Sequence, residues 1–464
     1  MSMLPNILEI TQRGLELLGS GTLTVRNGNG LETLHQSEVA FQFTLAPLGA
    51  SVALILWSSD IERVLPSPQL VEFVGYTENG YKIEASGYHV EVRGYSEWDG
   101  KAPKRADFYC NEASVRVMQD EVRQEDPAQW VFPLLGLEFQ SDYQIETHKK
   151  AKRGHDSEEE GLYFGSSWKP GFSTLDWGDL SLRFDRTQSI EERVSGVPVN
   201  GVVYLSTQPG TTVKEVMSRA AVLYDLIAPR SGVLWKPSLC QNVGTKTVHY
   251  ERGSQPINGG AAYLEYPESE YAFITPYAES VLKFYDALAD DSGTETKSQQ
   301  ALRSLSRTLI APMFPAEQSI LATSTGFEIL RSHFWTGEGK YRVSKRAAAS
   351  LENSLRGFAA ELKSDERRGE YEQSVPAKAS GLLSRPLKCV AVEIGQSFMG
   401  YRQDANQVTR MVELRNQLIH RGVMDDYPDP APTAMAARRV LWQSFVGLVG
   451  LRDVATRIPP RKTH

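Results

Sequence analysis

The chain has 464 residues, of which 41% are hydrophobic and 23% are charged, and this is the composition of an ordinary globular protein. Its length exceeds what one hydrophobic core usually organises, so two or three domains are expected. A formal net charge of −7 argues against a protein that binds nucleic acid through its overall charge.

The cellular location is predicted from patterns that the sequence lacks. Residues 1–5 have no basic region followed by an apolar core, as a secretory signal would have. The longest apolar run, residues 45–57, is interrupted by Pro47 and Gly49 and is too short to span a bilayer. Cys110, Cys240 and Cys389 lie far apart and outside any Cys-x-x-Cys motif, which disfavours zinc and fits a reducing compartment. A cytoplasmic protein without a membrane partner is therefore expected.

Residues 1–147 predict a β-rich N-terminal domain. Short runs of β-branched and aromatic residues alternate with turn formers, and Glu78-Asn79-Gly80 is typical of a tight hairpin. Regular short strands of this kind favour a sandwich or a barrel-like unit. The predicted strands are 21–26, 38–45, 51–57, 70–76, 81–85 and 88–94.

A compositional break follows at residues 148–161, where a basic block and an acidic block succeed each other without apolar residues beyond alanine. Such a segment cannot form a core, so a charged linker or exposed loop is predicted. Residues 162–266 predict a mixed α/β segment that can be continuous with the first domain, with strands at 180–184 and 201–205. Thr212 and Glu215 match a capping box at the start of a helix.

From residue 267 to residue 464 the sequence predicts an α-helical bundle, which makes the whole chain an α+β multidomain protein. The predicted helices are 271–289, 298–310, 315–334, 344–362, 377–398, 404–421 and 433–456, with polar or proline-rich connections at 364–372 and 422–432. Charge is divided unevenly, because residues 340–464 hold 21 Lys and Arg against 13 Asp and Glu while the rest of the chain is acidic. This asymmetry favours a basic site carried on an acidic body.

The clearest chemical signal lies at Arg415-Asn416-Gln417-Leu418-Ile419-His420. Val408, Met411, Val412, Leu418 and Ile419 have helical spacing, and Arg415 falls near the middle of this apolar stripe. A guanidinium is rarely buried without a partner, so an acidic neighbour is expected. Asn416 and His420 are four residues apart and share one flank of the helix.

This stretch resembles the signature of the HEPN superfamily, in which an Arg, often followed by a polar residue, precedes a His by four to six residues. The resemblance covers about the last 150 residues and implies a helical, metal-independent ribonuclease domain with Arg415, Asn416 and His420 as catalytic residues. It also implies that Glu328, on the helix 315–334, is the partner of Arg415, and Arg421 is a further supporting candidate. The layout, a β-rich half before a HEPN domain, is similar to ApeA-type anti-phage defence proteins of bacteria, which implies a toxin-like effector whose N-terminal half senses a phage-derived trigger.

RNA cleavage suits these side chains because RNA supplies its own nucleophile, the 2′-hydroxyl. An imidazole can move the proton, and a guanidinium can bind the charged phosphorus centre. No metal and no cofactor are required, and the expected partner is RNA, with tRNA included. Arg415 and His420 lie about 140° apart around a continuous helix, so a homodimer formed through the C-terminal helices is expected to build a shared cleft.

Two other classes of function remain open at this stage. Many helical domains of this type lack catalysis, so the chain can be a scaffold that binds a ligand through its β-rich half. A carbohydrate- or peptide-binding protein with an incidental Arg/His pair is the other alternative. The ribonuclease is favoured because the Arg, Asn and His occur together at the spacing of the motif.

Overall fold

The computed structural model describes residues 7–26, 33–47, 52–58, 70–87, 89–93, 104–109, 112–117, 128–135, 143–151, 162–170, 174–186, 193–194, 197–252, 256–258, 274–310, 315–337, 344–361, 365–399, 405–422 and 429–450. The chain divides into two compact units, Met1–Ala289 (unit 1) and Asp290–His464 (unit 2). No helix among these residues is long and apolar enough to cross a membrane.

The described residues of unit 1 form many strands and three helices. The helices are α1 (Ile7–Arg13), α2 (Val213–Ser231) and α3 (Ile274–Ala287). The strands are β1 (Leu15–Arg26), β2 (Thr33–Leu45), β3 (Val52–Ser58), β4 (Leu70–Thr77), β5 (Tyr81–Gly87), β6 (His89–Arg93), β7 (Lys104–Tyr109), β8 (Glu112–Val117), β9 (Gln129–Leu135), β10 (Tyr143–Ala151), β11 (Leu162–Pro170), β12 (Thr174–Trp177), β13 (Leu180–Arg186), β14 (Arg193–Val194), β15 (Val197–Ser206), β16 (Val233–Leu234), β17 (Leu239–Asn242), β18 (Thr247–Glu251) and β19 (Ile257–Asn258).

Fifteen of these strands form one antiparallel sheet. Its order is β12-β13-β15-β9-β17-β18-β8-β5-β4-β1-β2-β3-β7-β6, and β14 pairs with β15. The remaining strands form the pairs β10–β11 and β16–β19. Strands from the predicted mixed segment, such as β15 and β18, therefore belong to the same sheet as the N-terminal strands. The α+β class is confirmed at this level.

Alternating side chains on the sheet form the core of unit 1. The buried face includes Phe41, Phe73 and Ile83, and α1 adds Ile7 and Ile10 to the same cluster. The rings of Phe41 and Phe73 meet edge to face with centroids 5.0 Å apart. The alternation of buried and half-buried positions along β5 is the period of two that a strand with one buried face requires.

Of the local sequence predictions for unit 1, the hairpin and the capping box are confirmed and the linker is wrong in part. The hairpin at Glu78–Gly80 joins β4 and β5 as predicted, and Gly80 takes a φ of +83° that favours glycine. The capping box is confirmed, because Thr212 Oγ1 accepts from the Glu215 N–H and Glu215 Oε2 accepts from the Thr212 N–H. The linker prediction is wrong for residues 148–151, which continue β10 and pair with β11, while 152–161 lie outside the described residues.

Unit 2 is helical within its described part. Its helices are α4 (Lys297–Leu309), α5 (Ala316–Ile329), α6 (Lys345–Ala360), α7 (Asp365–Leu383), α8 (Leu387–Met399), α9 (Ala405–Arg421) and α10 (Ala431–Leu448), and a π-helical turn (Leu330–Phe334) extends α5. The predicted helix 271–289 corresponds to α3, which belongs to unit 1 rather than to the helical unit.

Two predictions for unit 2 are wrong. The predicted helix 377–398 is two helices, because Pro386 cannot continue α7 and instead begins the first turn of α8. The predicted connection 364–372 is mostly helical, since α7 starts at Asp365. Arg367, Glu370 and Glu372 are exposed, and the helix is held by Val375 and Ala379, which are buried, and by its packing on α6.

Helix α10 lies at the centre of unit 2 and packs against α5, α8 and α9. Its approach to α8 is close enough that a Cβ added to Gly447 would lie 2.2 Å from the Phe398 carbonyl oxygen. A Cβ added to Gly326, on α5, would lie 2.4 Å from Leu441 Cδ2 of α10. Glycine at these contacts lets the helix axes approach more closely than a side chain would allow.

We expect Gly447→Ala to lower the free energy of unfolding by about 1–3 kcal/mol, because the added methyl group meets a backbone carbonyl that cannot rotate away. The matched control is Gly357→Ala on α6, where nothing lies within 4 Å of the added Cβ. That change should stabilise by about 0.5–1 kcal/mol through helix propensity. Urea titration measures both, and equal effects of the two changes would contradict the packing described for α10.

Candidate functional site

Helix α9 carries the motif residues and is held by one buried face. Val408, Met411, Val412 and Leu414 are almost fully buried and lie on a helix that packs against α5, α8 and α10. The prediction that Ile419 belongs to this face is wrong, because its side chain is 52% exposed. The apolar face therefore runs through Leu414, and the last turn of α9 leaves the core.

Arg415 bridges α9 and α5 at the edge of this packing. Its Nη2 donates to Glu328 Oε1 at 2.9 Å, and its Nη1 donates to Asn416 Oδ1 at 3.1 Å. The predicted contact between Arg415 and Glu328 is thus present. Both side chains reach solvent, at 27% exposure for Arg415 and 45% for Glu328, so the guanidinium is positioned but accessible.

His420 and Arg421 occupy the last turn of α9 and are exposed. Neither side chain makes a hydrogen bond or ion pair within the described part of the chain. The helix is unbroken from Ala405 to Arg421 and ends at Gly422, whose N–H donates to the Leu418 carbonyl at 3.0 Å with φ at +75°. Since no break separates Arg415 from His420, one copy presents them in directions about 140° apart.

Two features of the tertiary structure place Glu328. The contact of Gly326 with Leu441 brings α5 against α10 two residues before Glu328. A π-helical turn begins two residues after it, at Leu330, and closes with a hydrogen bond of 2.8 Å from the Trp335 N–H to the Leu330 carbonyl. Such turns are frequent beside functional sites. In the sequence, the glycine at position 326 is the signal that corresponds to the first of these features.

Unit 1 contains a separate groove between the outer face of the sheet and the start of α2. It has a volume of about 520 Å³, and its walls come from β4, β5, β8, β18 and residues 212–214. His249 lies in it, with its ring 5.6 Å from that of Trp130. Burial lowers the pKa of His249 to about 4, although Glu84 nearby acts in the opposite direction. The imidazole is therefore neutral across the physiological range.

Comparison of the chain with protein-family models, with curated proteins and with solved structures gives no match. The resemblance of the α9 motif to the HEPN signature therefore rests on Arg415, Asn416 and His420 and on the contact with Glu328. Within the described residues, no group of three His, Cys, Asp or Glu side chains is arranged to hold a metal ion.

The ion pair gives a prediction about stability. A buried carboxylate left without its arginine would cost about 3–5 kcal/mol, but Glu328 is 45% exposed and water can replace the guanidinium. We expect Arg415→Ala and Glu328→Gln each to lower the free energy of unfolding by about 1 kcal/mol or less.

The comparison variant for this ion pair is Arg438→Ala. Arg438 is 5% exposed and donates to the Leu309 carbonyl, so its loss should cost about 1–3 kcal/mol or more. Urea unfolding ranks the three variants by their free energy of unfolding. If Arg415→Ala loses as much of it as Arg438→Ala does, the main role of the ion pair is to stabilise the fold.

His249 predicts acid sensitivity of unit 1. Below its usual pKa of 6.5 the unfolded chain binds a proton at this ring, whereas the folded chain does so only near pH 4. Stability contributed by the neutral ring is therefore complete above pH 6.5 and falls as the pH drops from 6.5 towards 4. Unfolding titrations at several pH values in this window should show a smaller loss for His249→Gln than for wild type. An unchanged slope would contradict the burial of the ring.

Proposed function

We propose that unit 2 is a metal-independent endoribonuclease of the HEPN type, and that the protein is a toxin-like effector of anti-phage defence with unit 1 as its sensor. The observation that carries the proposal is the Arg415–Glu328 contact, which holds a guanidinium at the surface beside Asn416. The basic balance of residues 340–464 supports an RNA partner.

The proposed chemistry uses the 2′-hydroxyl of RNA as the nucleophile. The bond from the 2′-oxygen to phosphorus forms, and the bond from phosphorus to the 5′-oxygen breaks, which leaves a 2′,3′-cyclic phosphate. His420 takes the proton of the 2′-hydroxyl or supplies one to the leaving 5′-oxygen. Arg415 stabilises the charge on the phosphorane oxygens with the N–H groups that Glu328 and Asn416 leave available.

A second copy of the chain is part of this proposal. One unbroken α9 presents Arg415 and His420 in different directions, so residues from two copies are needed to line one cleft. Ile419 is a large apolar side chain that is 52% exposed immediately before His420. An exposed apolar side chain of this kind is favourable at the centre of an interface. A dimer centred on Ile419 would bring the histidines of two copies near the shared axis.

A second candidate is a non-catalytic helical module, and one observation favours it. The Arg415 guanidinium donates to Glu328 and to Asn416, and an ion pair between two packed helices can serve stability alone. In that case unit 2 is a scaffold and unit 1 the ligand-binding part. Cleavage assays on the His420 variant separate the two candidates.

We expect His420→Ala and Arg415→Ala each to abolish RNA cleavage while the protein stays folded, because His420 is exposed and the Arg415 pair is accessible to water. Wild type should remain active in EDTA and should not cleave DNA, which lacks the 2′-hydroxyl. Gel assays with end-group analysis of the products measure these outcomes.

The controls for cleavage are Arg356→Ala on α6 and Glu370→Gln on α7, both at exposed positions on helices other than α9. They should cleave at the wild-type rate. Equal rates for wild type and His420→Ala, strict dependence on a divalent ion, or cleavage of DNA would each exclude the proposed chemistry.

We expect Ile419→Glu to convert the dimer to monomer and to abolish cleavage, since a buried charge without a partner opposes association. Leu382→Glu is the matched control, because Leu382 is also exposed, at 60%, but lies on α7. Light scattering measures the mass, and mixing Arg415→Ala with His420→Ala tests whether two copies share one site. A monomer that cleaves at full rate would exclude the shared cleft.

A further inference from the structure

The outer face of the sheet in unit 1 carries an unusual concentration of carboxylates at the groove. Glu72, Ser86, Glu112 and Glu251 form one cross-strand row over β4, β5, β8 and β18, because each pairs in register with the next. Glu84 belongs to the neighbouring row, and all four glutamates line the groove. Lys214 is the basic residue of the lining.

Most of these carboxylates have a cation at the side of the groove. Arg26 Nε lies 2.9 Å from Glu72 Oε2, Lys82 pairs with Glu84, and Lys236 Nζ is 4.0 Å from Glu251 Oε1. Glu112 is exposed and has no ion pair within the described residues.

Glu112 stands directly opposite Glu251 in the β8–β18 ladder. Like charges at directly opposed positions destabilise a sheet, since their Cβ atoms are only about 4.5–5.5 Å apart. Lys236 already compensates part of the charge of Glu251, whereas Glu112 adds a second negative charge beside it, and a cation seated between the two carboxylates would reduce their repulsion.

The shape of the groove indicates the size of its occupant. A volume of about 520 Å³ is in the range of pockets that enclose small ligands or a few residues of a peptide. Val74 of the sheet and Val213 of α2 give it apolar walls between the charged positions. An occupant with an aliphatic stem and a charged end matches this combination.

The chemistry of the lining distinguishes between cations. Metal ions are disfavoured, because these carboxylates do not converge into any metal-holding group among the described residues. A guanidinium offers a planar fork of donors that spans two carboxylates, which an ammonium cannot match.

We propose that this groove binds an arginine side chain of an extended peptide segment from a partner protein, with Glu112 and Glu251 as the receiving pair. His249 lines the groove, and because burial lowers its pKa to about 4 its ring adds no positive charge at neutral pH that would repel the ligand. The site goes beyond the nuclease and does not depend on it, since it lies wholly in unit 1. Binding at this groove would give unit 1 a means of detecting a protein.

The test uses an array of short random peptides probed with the fluorescently labelled full chain. Three proteins are compared: wild type, Glu112→Gln/Glu251→Gln, and the control Glu38→Gln/Glu78→Gln, whose residues are exposed in unit 1 outside the groove. Peptides retained by wild type and by the control should be enriched in arginine over lysine. The groove variant should bind the same peptides about tenfold or more weakly.

Thermal melting checks that all three proteins fold, and Glu112→Gln alone should melt no lower than wild type because it removes the opposed charge. Replacing arginine by citrulline in the retained peptides should abolish binding. The proposal fails if arginine is not enriched, or if the groove variant binds as well as the control. It also fails if free spermidine binds at the groove while no peptide does, because the ligand would then be a polyamine.

Discussion

Close approach of helices to α10 is the constraint on which unit 2 depends. Gly326 of α5 and Gly395 of α8 face Leu441 and Val440 of α10, and Gly447 of α10 faces the Phe398 carbonyl. At Gly447 a side chain would meet a backbone carbonyl and push the axes apart, whereas at Gly326 and Gly395 the facing side chain of α10 would have to shift. Because α9 packs on the same central helix, the separation of α5 from α9 is fixed, and Arg415 reaches Glu328 across it.

The Arg415–Glu328 ion pair is held by rigid helices but remains accessible to solvent. Its helices are fixed by buried residues such as Met411 and Phe327, whereas its charged groups stay in contact with water. A guanidinium in this setting is already oriented, so little conformational entropy would be lost if a ligand bound to it. His420 stands outside this arrangement, at the end of a straight helix. This separation is the physical reason for placing a second copy in the proposed site.

Much of the secondary structure was predictable because its signals are local. The hairpin at Gly80 and the capping box of Thr212 and Glu215 depend on residues within four positions of each other, and both are confirmed. Predictions from the composition of longer segments were wrong where a few tertiary contacts decided the local structure. Asp365 begins a helix that is polar along most of its length. The helix forms because Val375 and Ala379 are buried where it packs on α6. Likewise, the basic run at 148–151 is drawn into a strand by its pairing with β11.

The sequence by itself determined the α+β class, the helix carrying Arg415, Asn416 and His420, and the expectation of an acidic partner, because helical period and charge are written in the chain. The tertiary structure alone decided which residues of that helix are buried, with Leu414 inside and Ile419 outside. It also decided how Glu328, which the family resemblance implied as the partner, comes within 2.9 Å of the guanidinium from 87 positions away. Likewise, it set Glu112 opposite Glu251 in the sheet. Contacts between residues so distant in sequence depend on strand register and helix packing, which no local pattern encodes.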